Sequence, residues 1–227
     1  DQILVHGLRY RERLLEGGLA PERVTYSPLL HLSLGAAWLQ DLEALAADIC
    51  YEPWGLFFGR LERYKGVDHL VAAAGALDGQ SPEARSLVLA GPGDMDALVA
   101  GPLPRWVEVR NRLIRDEEVL DLFRHCGLLV LPYRDATQSA LIAHAYYFRK
   151  PAIVTRTGAL PEYVVEGETG WVISPEDPPA LADALRQALS DPARLARMGK
   201  AAREWYDQER KTEEVTLQQM YARLARR

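Results

Sequence analysis

Short apolar runs alternate with helical patterns along nearly the whole sequence, an order that few folds accept. Strands are predicted at Ile3–Val5, Val24–Tyr26, Leu56–Phe58, Leu87–Ala90, Val107–Val109, Leu128–Leu131, Ala152–Thr155 and Trp171–Ile173. Several of these are continuous apolar runs, which is how strands read when both of their faces are covered. Helical patterns fall between them, over 65–77, 115–126, 137–148, 160–167 and 177–191. Asp116 is the expected N-cap of one helix, and Asp177, followed by two prolines, opens another. Strand–helix alternation of this kind predicts an α/β fold, a parallel sheet with helices on both faces.

The ends depart from that rhythm. Residues 35–48 read as an amphipathic helix outside the main sheet. From Pro192 the pattern is all helical, a segment over 193–208 followed by another over 212–227, the latter closed by basic residues that suit its dipole. With 227 residues, 48% of them apolar, the chain can fill one large domain or a domain plus a fragment. Opening on Asp1, it reads as a piece of something longer.

The net charge of −5 comes from acids and bases spread over the whole length, which argues against a nucleic-acid groove. Cys50 and Cys126 match no metal or redox spacing and are expected to be free thiols in a reducing cytoplasm. No run reaches the ~20 apolar residues of a membrane-spanning helix, and no basic-then-apolar leader is visible.

Three glycine-containing loops carry the chemistry. In "GLFFGRLERYKGVDHLV" a strand ends at Phe58, Gly59 turns the backbone, and Arg60 and Lys65 follow before a helix begins. Ligands of open parallel sheets bind beyond the carboxyl ends of the strands, so both cations are placed to share the charge of a diphosphate. Spacing alone serves a pair of solvated surface cations equally well. In "LVLAGPGDMD", Gly91 and Gly93 suit a tight turn or close approach to a ligand, and the full dinucleotide fingerprint is missing, which disfavours NAD. In "VTRTGALPEYVVEGETGWVIS", Gly158 follows a strand, Pro161 opens a helical turn, and Gly167 and Gly170 shape the entry to the next strand. Glu162 is expected to cap its own helix, with a direct ligand role as the alternative.

In this order the loops resemble the donor-binding half of the family-4 glycosyltransferases of GT-B fold. "GRLERYKG" matches that family's G-R-L-x-x-x-K-G, "LVLAGPGD" its L-x-G-x-G, and residues 131–177 its long closing block. The resemblance implies a Rossmann-like sheet with a helical C-terminal extension. It divides the chain into the end of an N-terminal acceptor domain with its linker (1–50), a nucleotide-sugar domain (51–190) and C-terminal helices (191–227), the last crossing back to the first domain.

The resemblance also assigns roles. Arg60 and Lys65 hold the donor diphosphate, Gly59, Gly91 and Gly93 lie near the nucleotide, and Arg112 edges the base. A helix opening at Gln138, Ser139, Ala140 and Leu141 aims its N–H groups at the phosphates. The family usually places two glutamates eight positions apart across that helix start. Counting back from Pro151 puts those positions at Ala136 and His144, neither acidic. A subgroup carrying "TQSG" in place of the glutamates is a better match to the "TQSA" of residues 137–140. Asp135, Gln138, Ser139 and His144 are the candidate substitutes, His144 being equally open to a packing role beside Leu141 and Phe148.

The implied activity is retaining transfer of a sugar from a nucleotide diphosphate sugar to an acceptor hydroxyl, in polysaccharide or glycoconjugate biosynthesis. Charge stabilisation of the departing diphosphate would supply most of the barrier lowering, with no metal and no cofactor. The sugar or lipid-linked acceptor would bind an absent N-terminal domain, so this part alone would bind nucleotide and transfer little. The implied location is cytoplasmic, with peripheral contact at the inner membrane face in the full-length protein. The competing reading is a non-catalytic nucleotide-sugar module with a regulatory or interaction role; a sugar-nucleotide epimerase would need acids in the cleft.

Overall fold

The computed structural model of the chain describes residues 2–32, 42–47, 49–78 and 86–225. Its elements run β1 (Ile3–Val5), α1 (Leu8–Glu16), β2 (Val24–Tyr26), α2 (Leu42–Ala47), β3 (Trp54–Phe58), α3 (Val67–Ala76), β4 (Ser86–Ala90), α4 (Met95–Leu98), β5 (Val107–Arg110), α5 (Asp116–His125), β6 (Leu128–Leu131), α6 (Leu141–Tyr147), β7 (Ala152–Thr155), β8 (Gly170–Ile173), α7 (Pro178–Ser190) and α8 (Pro192–Leu224).

Six strands form one all-parallel sheet in the order β5-β4-β3-β6-β7-β8, and β1 and β2 form a separate parallel pair. β3 lies between β4 and β6, with Gly55 opposite both Leu87 and Leu128. Parallel strands need right-handed crossovers. Those leaving β3 and β4 move one way along the sheet, whereas those leaving β6 and β7 move the other, so helices cover both faces. Every residue of β6 and β7 is accordingly buried, which accounts for their unbroken apolar runs. Cys50 and Cys126 are free thiols, one exposed and the other in the core.

The helices depart from expectation in four places. Arg115 holds the N-cap position of α5 and Asp116 is already helical, where its charge faces the positive end of the helix dipole. α6 opens at Leu141, later than Gln138. A helix beginning at Gln138 needs the Thr137 carbonyl for its first bond, but that carbonyl already accepts from Ala159 N at 2.8 Å and Tyr10 Oη at 3.3 Å. Residues 160–167 make only a single 3₁₀ turn, Leu160–Tyr163, because β-branched Val164 and Val165 leave it extended.

The C-terminal pair of helices is one continuous helix, α8. Beyond Gly199 it contains neither glycine nor proline, and Arg203–Asp207 and Arg210–Glu214 pair one turn apart along it. The expected helix over 35–48 is described only at α2, which lies outside both sheets. Residues 35–41 and 48 lie outside the described residues.

One polar group holds the back of the sheet. Lys150 is fully buried, and its Nζ donates to the carbonyls of Cys50 and, at 2.8 Å, Arg124, with the Tyr51 ring centroid 4.6 Å away. Burial pushes its pKa down to about 8. The ammonium satisfies a carbonyl at the end of α5, one that no helical bond can reach. Lys150→Ala is therefore expected to lower unfolding free energy by about 2–4 kcal/mol, from the lost packing and two lost charge-assisted hydrogen bonds, the Arg124 carbonyl keeping its bond from Cys50 N. Urea denaturation checks this, and a loss well under about 1 kcal/mol would contradict the role.

Candidate donor site

The strand order reverses between β3 and β6, so the loops leaving these two strands diverge and open a crevice at the carboxyl edge of the sheet. Residues 59–66 and 132–140 flank it. The two loops are bonded to each other: the Tyr64 carbonyl accepts from Arg134 N at 2.8 Å and Asp135 N at 3.3 Å. Gly66, at φ +68°, brings its backbone so close that a Cβ there would lie 1.9 Å from the Pro132 carbonyl oxygen. The Arg134 guanidinium completes the seam, with Nη2 donating to Asp68 Oδ2 at 2.7 Å and to His69 Nε2 at 2.6 Å, and Nε 3.3 Å from Glu176.

Both expected cations sit on this seam. Lys65 is partly buried, its Nζ 3.3 Å from the Tyr133 hydroxyl and 4.9 Å from that ring's centroid, with Tyr64 at 5.9 Å. Burial lowers its pKa first and the positive charge of Arg60 second, Glu62 opposing them. Arg60 is the exposed partner, 3.2 Å from Glu62. Two positive charges held near one another, one of them partly out of water, make a locus that an anion relieves.

The other expected residues take varied positions. Gly59 and Gly91 each donate a backbone bond to the neighbouring strand's end, Ala90 and Arg110 respectively, which draws the two glycine loops together. Gly93 bridges Leu61 and donates its N–H to Asn111 Oδ1 at 2.9 Å. Arg112 is bound to Glu118 at 2.8 Å, so its guanidinium is already neutralised at the rim. Asp135 is exposed; Gln138, Ser139, Ala140 and Leu141 are half-buried, the first three preceding α6 rather than opening it. His144 is 3% exposed, its Nδ1 2.8 Å from the Ala140 carbonyl and its ring 5.9 Å from Phe123. That geometry favours the packing role.

Sequence reasoning passed over two residues, Tyr133 and Arg134, and assigned a third, Glu162, to the wrong helix. Tyr133, two residues after β6, is the partner of Lys65, and its own carbonyl accepts from Thr155 Oγ1 at 2.6 Å and Thr157 Oγ1 at 3.3 Å. Arg134 is the seam itself. Glu162 does cap a helix, though not its own: it accepts from Leu8 N at 2.5 Å and Arg9 N at 3.2 Å at the start of α1. A polar or aromatic residue just beyond a buried strand was the available signal for Tyr133 and Arg134.

The family profile described as Glycosyl transferases group 1 matches residues 52–191. The chain belongs to that family. This group 1 glycosyltransferase chain is 32% identical over 159 residues to the D-inositol 3-phosphate glycosyltransferase of Streptomyces avermitilis, covering 65% of this chain and 34% of the relative. It is 32% identical over 153 residues to the glycogen synthase of Mycobacterium tuberculosis, covering 66% and 37%. The match thus spans about a third of the length of these curated relatives. Among solved structures, HepE of Anabaena in complex with UDP aligns with a TM-score of 0.71 at 16% identity, over 97% of this chain and 64% of that one. At that identity the likeness speaks to fold, the Rossmann-like C-terminal domain of a GT-B protein.

The seam of the group 1 domain is the feature most exposed to mutation. Gly66→Ala forces a left-handed alanine against the Pro132 carbonyl and is expected to cost about 2–3 kcal/mol of stability. Denaturant unfolding that matches the wild type would show that the loops do not meet there.

Proposed function

We propose that this chain is the donor-binding part of a retaining, family-4-type glycosyltransferase of the "TQSG" subgroup, acting on a nucleotide diphosphate sugar. The observation that carries the reading is the partly buried Lys65 ammonium at the switch point, its pKa lowered by burial and by Arg60. A diphosphate is the ligand whose charge and length suit a fixed ammonium beside a mobile guanidinium. The UDP bound to the related HepE fold supports the same ligand class.

In the proposed mechanism Arg60 and Lys65 are the catalytic groups, since negative charge on the diphosphate grows as the sugar–oxygen bond breaks and both cations stabilise that growth. Retention would follow from acceptor attack on the face the diphosphate leaves. Gly59, Gly91 and Gly93 let the backbone approach the nucleotide, Arg112 borders the base, and Asp135, Gln138 and Ser139 offer bonds to the sugar or phosphates. The amides of Ala140 and Leu141 lie at the same edge. The set includes no metal and no cofactor. Residues 1–50 would belong with an acceptor-binding domain, toward which the C-terminal half of α8 returns. The cavity of about 360 Å³ that Thr216, Gln219, Met220 and Arg223 share with Leu8 and Val24 supports that arrangement.

No helix among the described residues is long and apolar enough to cross a membrane. A cytoplasmic enzyme reaching the inner membrane face through its acceptor domain is the location proposed. A non-catalytic nucleotide-sugar module is the weaker reading, since the family and its curated relatives are transferases.

Titration calorimetry with UDP-, GDP- and ADP-sugars tests the reading. Micromolar affinity for one of them is expected, falling at least about 10-fold in Lys65→Ala and in Arg60→Ala. Unchanged affinity in both variants would refute it.

The pH dependence has a definite sign. The free ammonium titrates below an ordinary lysine and the diphosphate favours its charged form. Affinity is therefore full at neutral pH and declines as pH rises through the lowered pKa of Lys65, earlier than an unperturbed lysine at ~10.4 would allow.

A further inference from the structure

We propose that Tyr133 is a positioning residue of the donor site, holding the Lys65 ammonium in place through its hydroxyl and ring. The proposal deepens the donor-site reading above and rests on it.

A lysine is a mobile point charge on a four-carbon stem, and a site that depends on one must fix it or lose affinity to the entropy of ordering it. Here the fixing group is recognisable. The Tyr133 ring is 3% exposed, and its backbone is tied at the carbonyl by two threonine hydroxyls from the end of β7 and the turn after it. The phenol therefore has nowhere to move. Lys65 Nζ meets this immobile group twice, at the hydroxyl oxygen (3.3 Å) and over the ring face (4.9 Å). The ring holds the cation through its quadrupole while the hydroxyl fixes its direction.

Ser139, farther along the loop that carries Tyr133, places its Oγ 3.4 Å from Leu141 N at the first residue of α6. The Lys65–Tyr133 contact thus joins the cation of the β3 loop to a residue of the loop that follows β6. The phenol stays neutral throughout, burial pushing its pKa up to about 12. It can therefore only orient the ammonium and cannot compete with a phosphate for it. Arg60, by contrast, is exposed, and among the described residues it has no comparable fixing contact beyond Glu62. On this account Lys65 sets the diphosphate position and Arg60 follows.

The test is calorimetric titration of UDP into the 227-residue chain from pH 7.5 to pH 10, on wild type, Tyr133→Phe and Lys65→Ala, with thermal unfolding in parallel. Tyr133→Phe keeps the ring and is expected to weaken UDP binding about 3- to 10-fold at pH 7.5, the range of one hydrogen bond. Its alkaline loss of affinity should also begin at lower pH, because the ammonium has lost an acceptor that favours its charge. A phenol that merely packs would change the melting temperature and leave the alkaline limb where it was; that result overturns the proposal. So does wild-type behaviour of Tyr133→Phe alongside a Lys65→Ala variant that has lost binding. If Lys65→Ala itself binds UDP like wild type, the donor site is elsewhere, and this failure is told apart from the other two by that one variant.

Discussion

The two loops that leave β3 and β6 are bonded to each other before any ligand arrives, and the rest of the site depends on that contact. A parallel sheet by itself only guarantees that something diverges at its switch point. Here the divergence is closed at its base by the Tyr64 carbonyl, which takes N–H groups from both Arg134 and Asp135, and by Gly66 pressed on Pro132. The buried seam of Arg134 with Asp68 and His69 lies beneath it. Since His69 Nε2 accepts from the guanidinium, the ring proton belongs on Nδ1. With the base closed, the side chains above it have a fixed floor. Lys65 and Tyr133 come from different strands, yet their spacing is set by backbone bonds rather than by side-chain packing alone.

Two buried or partly buried lysines show what that floor does. Lys150 finds two carbonyl acceptors and an aromatic face and is removed from water altogether. Its three donors are largely used up within the protein. Lys65 is partly buried, and Tyr133 is its hydrogen-bond partner among the described residues. An ammonium carries three donors. Burial lowers the pKa of both, but for Lys65 the second cause is another cation, whereas for Lys150 every lesser cause raises it. One lysine is a structural tie; the other lies beside a second cation with donors to spare, which is the electrostatic condition of an anion site.

Much of this architecture was legible in the sequence because burial on two faces leaves a simple mark. Leu128–Leu131 and Ala152–Thr155 read as strands to the residue, since a central parallel strand has no polar face to interrupt it. Asp177 before two prolines marked the start of α7, and its carboxylate does accept from Ala180 N. What stayed hidden is long-range. Glu162 reads as a local cap, but its carboxylate serves α1, 154 positions earlier, and no spacing rule reaches that far. The late start of α6 has the same origin, because the Thr137 carbonyl is taken by Ala159 and Tyr10. Tyr133 and Arg134 follow a strand closely, where no periodicity distinguishes a site residue from a turn residue.

Of the two positions at which the family resemblance leads one to expect acids, His144 is committed to packing, and Ala136 is half-buried with its backbone carbonyl pressed on Gly158. The Ala136 carbonyl lies so near Gly158 that a Cβ there would come within 1.8 Å of it, and Gly158 is held at φ +53°. His144 is enclosed beside Phe123 and bonded to the turn before it. A glutamate in the place of His144 would be an unpaired charge in the core, costing several kcal/mol or giving up its ionisation. An acid-free strategy is therefore consistent with how this chain folds, and not simply a loss at two surface positions. On the proposed reading the chemistry then falls to groups that stabilise negative charge on the leaving diphosphate, and these are the groups the seam holds in register. On that reading, neutral hydroxyls and amides near Ser139 would hold a sugar more weakly than a carboxylate, by about 1 kcal/mol per bond, and specificity for the sugar would be looser at these positions.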